Sequence, residues 1–314
     1  MGYLYSAFGF VLKLIYDIVS NYGLSIILLT LLIKIIVLPL TLKQQKAMTK
    51  MQRIQPKLQE IQEKYKDDKE KASQETMKLY KEYGVNPMGG CLPLLIQFPI
   101  LIAFYQVIQK PVQYMLSMPI KEIKALCNTY DIAYKTSGAQ IQLAKELGKI
   151  NFDFLGIDLS SVPWDQIKDL LAGKTGLIAL VAIIIPALAC FTTYLTSKVT
   201  SSVNQTKKAE AKTEKKKRVL SPDEKTSNSN TGESMTKSMT YMMPLMTLFF
   251  TFTLPAAMGL YWTISNVFAI LQTILLNGYY NKKLAVEIEA QDLIREEKIQ
   301  EKMKKYNMKK KRGL

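Results

Sequence analysis

Five apolar stretches of membrane length, separated by strongly basic segments, constrain this 314-residue chain more than any other feature. They cover residues 24–42, 89–108, 176–196, 241–254 extended by their neighbours, and 258–277. Inside hydrocarbon a backbone has no water to bond, so apolar runs of this length are stable only as helices that satisfy their own N–H and C=O groups. The first stretch holds 19 residues, which at a rise of about 1.5 Å each spans roughly 28 Å, close to the hydrocarbon thickness. The fourth is the shortest and is bracketed by Pro244 and Pro255. The expected fold class is an all-α polytopic membrane protein with five transmembrane helices.

The basic residues orient those helices. The chain has 42 Lys and Arg against 26 Asp and Glu, a formal charge of +16, and its mean hydropathy of +0.02 conceals the alternation of apolar and basic blocks. Residues 43–88 hold 11 Lys and Arg, 197–238 hold 10, and 278–314 hold 11, whereas 109–175 hold 8 beside 7 acids. In a five-span chain the three rich segments fall on one side. The positive-inside rule places them in the cytoplasm, with the C-terminus, and puts the N-terminus outside. With no histidine, imidazole catalysis and imidazole metal ligation are excluded. Cys91, Cys127 and Cys190 are too far apart for a metal-binding spacing. No phosphate-binding glycine loop is present, and the spans hold neither a Ser/Lys pair nor paired carboxylates, so no cofactor, no metal and no enzymatic chemistry are expected.

Between the spans the patterns differ. Residues 1–20 form an apolar stretch carrying Lys13 and Asp17, expected as an outer interfacial helix before the break at Asn21-Tyr22-Gly23. Residues 43–83 carry Met48, Met51, Ile54, Leu58, Ile61 and Tyr65 at helical spacing, then Met77, Leu79 and Tyr80 beyond the turn-like Asp67-Asp68, a pattern that predicts a cytoplasmic two-helix hairpin with an apolar stripe. The segment 109–175 lies outside. Residues 197–238 are rich in Ser, Thr, Asn and Lys without apolar periodicity, and read as a basic, partly disordered loop. Residues 239–280 hold the last two spans, and 281–314 form a charged helical tail ending in Lys309-Lys310-Lys311-Arg312, suited to phosphate or lipid head groups.

Lys34 is the one Lys, Arg, Asp or Glu within the five spans. A lysine at that depth costs roughly 2.5–3.5 kcal/mol on insertion-derived scales. No carboxylate on another span can neutralise it. It therefore requires water, carbonyls or polar side chains, for which Thr30, Gln97, Thr192, Thr193, Thr196, Thr263, Asn266 and Gln272 are the candidates. The expectation is a hydrated, positively charged groove within the membrane. Met235, Met239, Met242, Met243, Met246 and Met258 cluster around the fourth span, and such side chains suit a surface that meets varied apolar partners. Pro87, Pro93 and Pro99 at the second span and Pro186 in the third favour kinked helices over a tight bundle. A secondary transporter of an anionic solute would also use a lone buried lysine, but such folds carry internal repeats, and none is found here.

Several runs resemble a known family. They are Asn21-Tyr22-Gly23-Leu24, Thr30-Leu31-Leu32-Ile33-Lys34 with Leu38-Pro39-Leu40-Thr41, Tyr80-Lys81-Glu82-Tyr83-Gly84-Val85 leading into Asn86-Pro87-Met88-Gly89-Gly90-Cys91-Leu92-Pro93-Leu94-Leu95-Ile96-Gln97-Phe98-Pro99-Ile100, and Gly259-Leu260-Tyr261-Trp262-Thr263-Ile264-Ser265-Asn266. Together they resemble YidC/Oxa-type membrane protein insertases in their short, bacterial, five-span form. The resemblance implies five spans around a hydrophilic groove open to cytoplasm and lipid but closed outside. It implies that the family's groove arginine corresponds to Lys34, which keeps the charge without the bidentate fork, and that Thr30 and Trp262 contact substrate; Gln97 and Asn266 are expected in the groove as polar residues of the spans. The substrate helix would slide out along Ile100, Phe104, Met242, Met243 and Met246. The implied partners are nascent membrane proteins, membrane lipids, the ribosome through the basic tail, the Sec translocon and the signal recognition particle pathway.

Overall fold

The computed structural model describes residues 2–86, 92–136, 138–174, 183–215 and 231–311. It is helical apart from one small two-stranded hairpin among the described residues. The helices begin with α1 (Gly2–Val19) and α2 (Tyr22–Lys64), whose first turn is capped by Asn21, its side-chain oxygen accepting from the Leu24 N–H at 2.9 Å. α2 runs 43 residues without interruption, about 64 Å at 1.5 Å per residue. The expected first span and the first arm of the hairpin are thus one helix. Leu24, Leu28, Leu32, Ile35 and Ile36 are exposed along one face while Tyr22, Ile26, Leu29 and Thr30 are buried on the other. That division is the one expected of a helix with one side on lipid and one on protein.

At the far end of α2, Asp68 accepts from Lys71 N–H at 2.9 Å and starts α3 (Lys69–Glu82), completing the expected hairpin. Ile54, Leu58, Leu79, Tyr83 and Val85 bury one another, with Met51, Ile61 and Tyr80 against them, so most of the predicted stripe is the hairpin's core. Met77 is exposed instead.

The second span begins, as described, with α4 (Leu92–Gln109), which continues through Pro99. Part of its expected range, with Pro87 and Cys91, lies outside the described residues. The segment that follows is ordered as α5 (Pro111–Tyr114), α6 (Ile120–Thr129), α7 (Ala139–Glu146), β1 (Asp153–Phe154), β2 (Ile157–Asp158) and α8 (Pro163–Leu171). The two strands pair antiparallel, Phe154 opposite Ile157, around a turn in which both Leu155 and Gly156 take positive φ. Val112, Met115, Ile123, Cys127, Leu143 and Leu159 form one core with Leu12, Tyr22, Ile26 and Leu29. This cap is held at very short range. A Cβ on Gly9 would lie 2.2 Å from the Tyr114 carbonyl oxygen, and one on Gly23 would lie 2.3 Å from the Phe154 ring.

α9 (Ile184–Lys215) supplies the described part of the third span, with residues 175–182 outside the described set. It corrects the reading of 197–238 as loop: the helix continues to Lys215, and α10 (Thr231–Thr253) has begun before residue 238. The stretch after Thr200 lacks apolar periodicity, but Lys, Ala, Glu and Gln are good helix formers, and extending an existing helix avoids the cost of nucleation. α11 (Ala256–Lys311) then runs 56 residues, about 84 Å. The cap satisfies its opening turn, since Ala256 and Ala257 N–H donate to the Ser161 and Leu159 carbonyls, both at 2.9 Å.

By length and composition Gly2–Val19, Tyr22–Met51 and Ala256–Leu276 are each able to cross a membrane, and Met242–Thr253 is a shorter apolar helix. α1 therefore has the dimensions of a crossing helix as well as those of an interfacial one, and it packs against α2, α4 and α5.

Candidate functional site

Lys34 stands on α2 four residues after Thr30, seven before Thr41 and eleven before Gln45, spacings that place all four on one helical face. Its side chain is half-buried and, among the described residues, makes no hydrogen bond or ion pair. Thr30 is fully buried, its hydroxyl donating to the Ile26 carbonyl of its own helix at 2.6 Å. Toward the hairpin the same stripe meets α11: the Gln272 amide donates to Thr41 Oγ1 at 3.2 Å and to Gln45 Oε1 at 3.3 Å. A polar seam thus follows α2 from Thr30 to Gln45, about 22 Å at 1.5 Å per residue.

The other candidates gather on α11. The Gln97 amide of α4 donates to the hydroxyl of Tyr261, whose ring is buried and stacks on Phe104 with centroids 4.2 Å apart. Asn266 Nδ2 donates to Thr193 Oγ1 at 2.8 Å and Thr192 Oγ1 at 3.3 Å, tying α11 to α9. The two helices approach closely here, for a Cβ on Gly259 would lie 2.5 Å from Ile185. Trp262 is partly exposed and lies nearly parallel to Phe250 of α10, ring centroids 6.4 Å apart.

Expected sliding-surface residues divide. On α10, Met242, Leu245, Met246 and Phe249 are exposed at helical spacing, with Met243 partly so, giving a continuous apolar face. Ile100 on α4 is half-buried. Phe104 does not belong to such a surface: at 1% exposure it is enclosed between Tyr261 and Phe8, because its face of α4 turns inward. Met258 is likewise core, and the side chains of Met235 and Met239 lie outside the described residues.

Sequence reasoning named Trp262 but passed over its neighbour. Tyr261 is what Gln97 reaches, and the available signal was Ser265 one turn later, which marks a polar face on an otherwise apolar helix. Among the described residues no group of His, Cys, Asp or Glu could hold a metal ion.

A family model described as 60Kd inner membrane protein matches residues 14–283. Membrane protein insertase YidC 2 of Listeria innocua is 33% identical over 299 residues, covering 94% of this chain and 77% of that protein. Membrane protein insertase YidC 2 of Bacillus anthracis is 31% identical over 265 residues, 82% of this chain and 73% of the relative. In Clostridium perfringens, membrane protein insertase YidC is 46% identical over 100 residues, 32% of this chain and 42% of the relative.

Proposed function

Because the chain belongs to the YidC/Oxa family of membrane protein insertases, we propose that it inserts its substrates by holding their polar flanks on the Lys34 seam while their apolar helices pass to lipid along α10. Its function is that of an insertase in a bacterial membrane, which it crosses several times, and its substrates are nascent membrane proteins. The family is not one of classical enzymes.

The energetics suit such a device. About 20 apolar residues gain roughly 6–12 kcal/mol on entering lipid, at about 0.3–0.6 kcal/mol each. Insertion is favourable without a nucleotide, and the barrier lies in carrying a short polar flank through hydrocarbon. One observation carries the reading: the single span charge is half-buried and unpaired among the described residues, on a seam of hydroxyls and amides that continues toward the hairpin. An unpaired ammonium at that depth requires water, and a wet, positive seam lowers the cost of a flank bearing carboxylates. Gln97 and Tyr261 line it from α4 and α11, and Asn266 holds α9 against α11. Thr30 and Phe104 belong to the wall, while Trp262, Met242, Met243, Met246 and Ile100 face the departing helix.

In this reading the 109–175 cap lies outside and closes that end, with the N-terminus. The segments 43–88, 197–238 and 278–314, 32 basic residues against 18 acids, lie in the cytoplasm. The basic end of α11 meets ribosomal RNA phosphate, and the Sec translocon and signal recognition particle pathway are the partners through which longer substrates arrive. Site-specific photocrosslinking to a stalled nascent chain tests the path. Crosslinks from Met246 and Trp262 but not from Phe104 are expected; capture from Phe104 alone would place the path elsewhere.

A further inference from the structure

The cytoplasmic half of α11 does not stand free of the hairpin. Ile288 is buried among Ile54, Leu58, Leu79, Tyr83 and Val85, completing the core that α2 and α3 form, and Leu284 one turn earlier is fully buried. The acids on either side of Ile288 are matched to the hairpin's lysines. Glu287 accepts from Lys50 at 2.8 Å and lies 3.9 Å from Lys46. Asp292 takes both the Lys57 ammonium and the Tyr83 hydroxyl, while Lys57 also reaches Tyr83 Oη at 2.7 Å. Arg295 closes the set on Glu82 at 3.3 Å. α2 and α11 run parallel through these contacts, so the register is one continuous helix pairing rather than a chance touch.

Two features mark this as a displaceable complex. Every ion pair keeps solvent access, and pairs of that kind are individually weak. Gln291 also brings a buried amide oxygen that finds no donor, a defect a permanent interface would remove. What remains specific is the pattern: an aliphatic anchor with a carboxylate one residue before it and another four residues after, read by an apolar slot flanked by three lysines.

We infer that the α2–α3 hairpin is a binding site for helical segments carrying an aliphatic residue between acids, and that residues 284–292 are its built-in placeholder, displaced by such a segment of an incoming chain. The inference rests on the insertase reading only for the identity of that chain. Removal of the tail's acids frees the slot, and its lysines then select acidic amphipathic flanks before they reach Lys34.

The test uses the full chain in nanodiscs and a fluorescent peptide reproducing residues 281–297. Glu287→Lys with Asp292→Lys repels the tail, so trypsin cleavage after Arg295 accelerates and peptide affinity rises at least tenfold over the unsubstituted protein. Adding Lys50→Gln and Lys57→Gln, which leaves the released tail without an opposite charge to meet, abolishes that gain, and a peptide with Lys at both acidic positions does not bind. Ile288→Ala, which weakens docking without altering charge, gives a smaller rise in the same direction. Unchanged peptide affinity in a protein whose tail trypsin shows to be released overturns the proposal, as does a tail whose protection survives both changes. Insertion of a substrate with an uncharged flank, measured in the same preparations, reports separately on the insertase reading. Its failure in the unsubstituted protein would count against that reading and leave the peptide result standing.

Discussion

Replacing Lys34 changes the charge of the seam while disturbing little else. No described carboxylate pairs with it, so Lys34→Gln strands no buried anion, the event that makes loss of one partner of an internal ion pair destructive. The magnitude follows from geometry. A flank carboxylate resting about 6 Å from the ammonium in a wet groove of effective dielectric about 20–40 is attracted by roughly 1.4–2.8 kcal/mol. Removing that attraction slows passage of an acidic flank by roughly 10- to 100-fold, since each 1.4 kcal/mol is a factor of ten. Lys34→Glu turns attraction into repulsion of similar size and slows it further, whereas Lys34→Arg keeps the rate within a few-fold. The assay is insertion of a single-span substrate into liposomes holding only this protein, with the flank bearing two acids or two glutamines. The quantity read is the ratio of the two rates. A ratio that stays the same in Lys34→Gln and Lys34→Glu as in the unsubstituted protein would falsify the electrostatic role, even if both variants were slower overall.

Three other outcomes are expected. Gly9→Ala places a methyl 2.2 Å from the Tyr114 carbonyl oxygen and should cost about 1–3 kcal/mol through displacement of α1, seen as a lower thermal midpoint, while Gly2→Ala, with open space around it, should leave the midpoint unchanged. Burial raises the Asp158 pKa, but hydrogen bonds from Lys145 and Ser160 outweigh it and hold the carboxyl below its ordinary value. The sign is that of a depressed acid: the stabilisation is complete above the ordinary carboxylate range and is lost as pH falls through the depressed value. Hydrogen exchange of the cap should accordingly stay slow down to about pH 4 and accelerate below it, and Asp158→Asn should remove that acid step; a step of the same size in the variant would clear Asp158 of the role. Deleting residues 300–314 takes away seven Lys and Arg and should both weaken ribosome co-sedimentation and flatten its salt dependence, so a salt curve like that of the whole chain would refute the assignment of the tail.

How much was legible in the sequence depended on which interaction held each element. The apolar helices at Tyr22–Met51 and Ala256–Leu276 followed from hydropathy because lipid imposes one requirement on every residue of the run, whereas Gly2–Val19, expected as interfacial, is also long enough to cross; the hairpin followed from Ile54, Leu58 and Leu79 because a helix period is local. Lys34 was conspicuous for the same reason, as one charge against an apolar background. The fate of Phe104 was not legible: apolar residues on a membrane helix look alike whether they face lipid or protein, and only the Tyr261 stack separates them. The docking of Ile288 between its acids was hidden too, since a charged tail with scattered aliphatic residues has the composition of a solvated helix. Nor could the sequence show that α2 and α11 each pass from an apolar to a charged segment without a break. A helix interior tolerates Lys and Gln as readily as Leu, so the change of composition at the expected membrane boundary is no signal to stop.

The polar residues of these helices do not simply destabilise the bundle. Thr30, Thr192, Thr193, Thr251 and Thr263 each return their hydroxyl proton to a carbonyl of their own helix at 2.6–2.9 Å, which costs the neighbours nothing. The amides cannot do this, and they cross between helices: Gln97 to Tyr261, Asn266 to Thr192 and Thr193, Gln272 to Thr41 and Gln45. They therefore fix which helices are neighbours. Among the described residues four neutral groups are left over, the Tyr22 and Ser265 hydroxyls, the Gln44 amide nitrogen and the Gln291 amide oxygen, each at a cost of about 1–3 kcal/mol. The remaining demand is the charge on Lys34, which a hydroxyl or amide dipole answers only in part and which a carboxylate answers best. Among the described residues no carboxylate meets it, and under the proposed insertase reading an acidic flank passing Lys34 would supply one for the time that it is there.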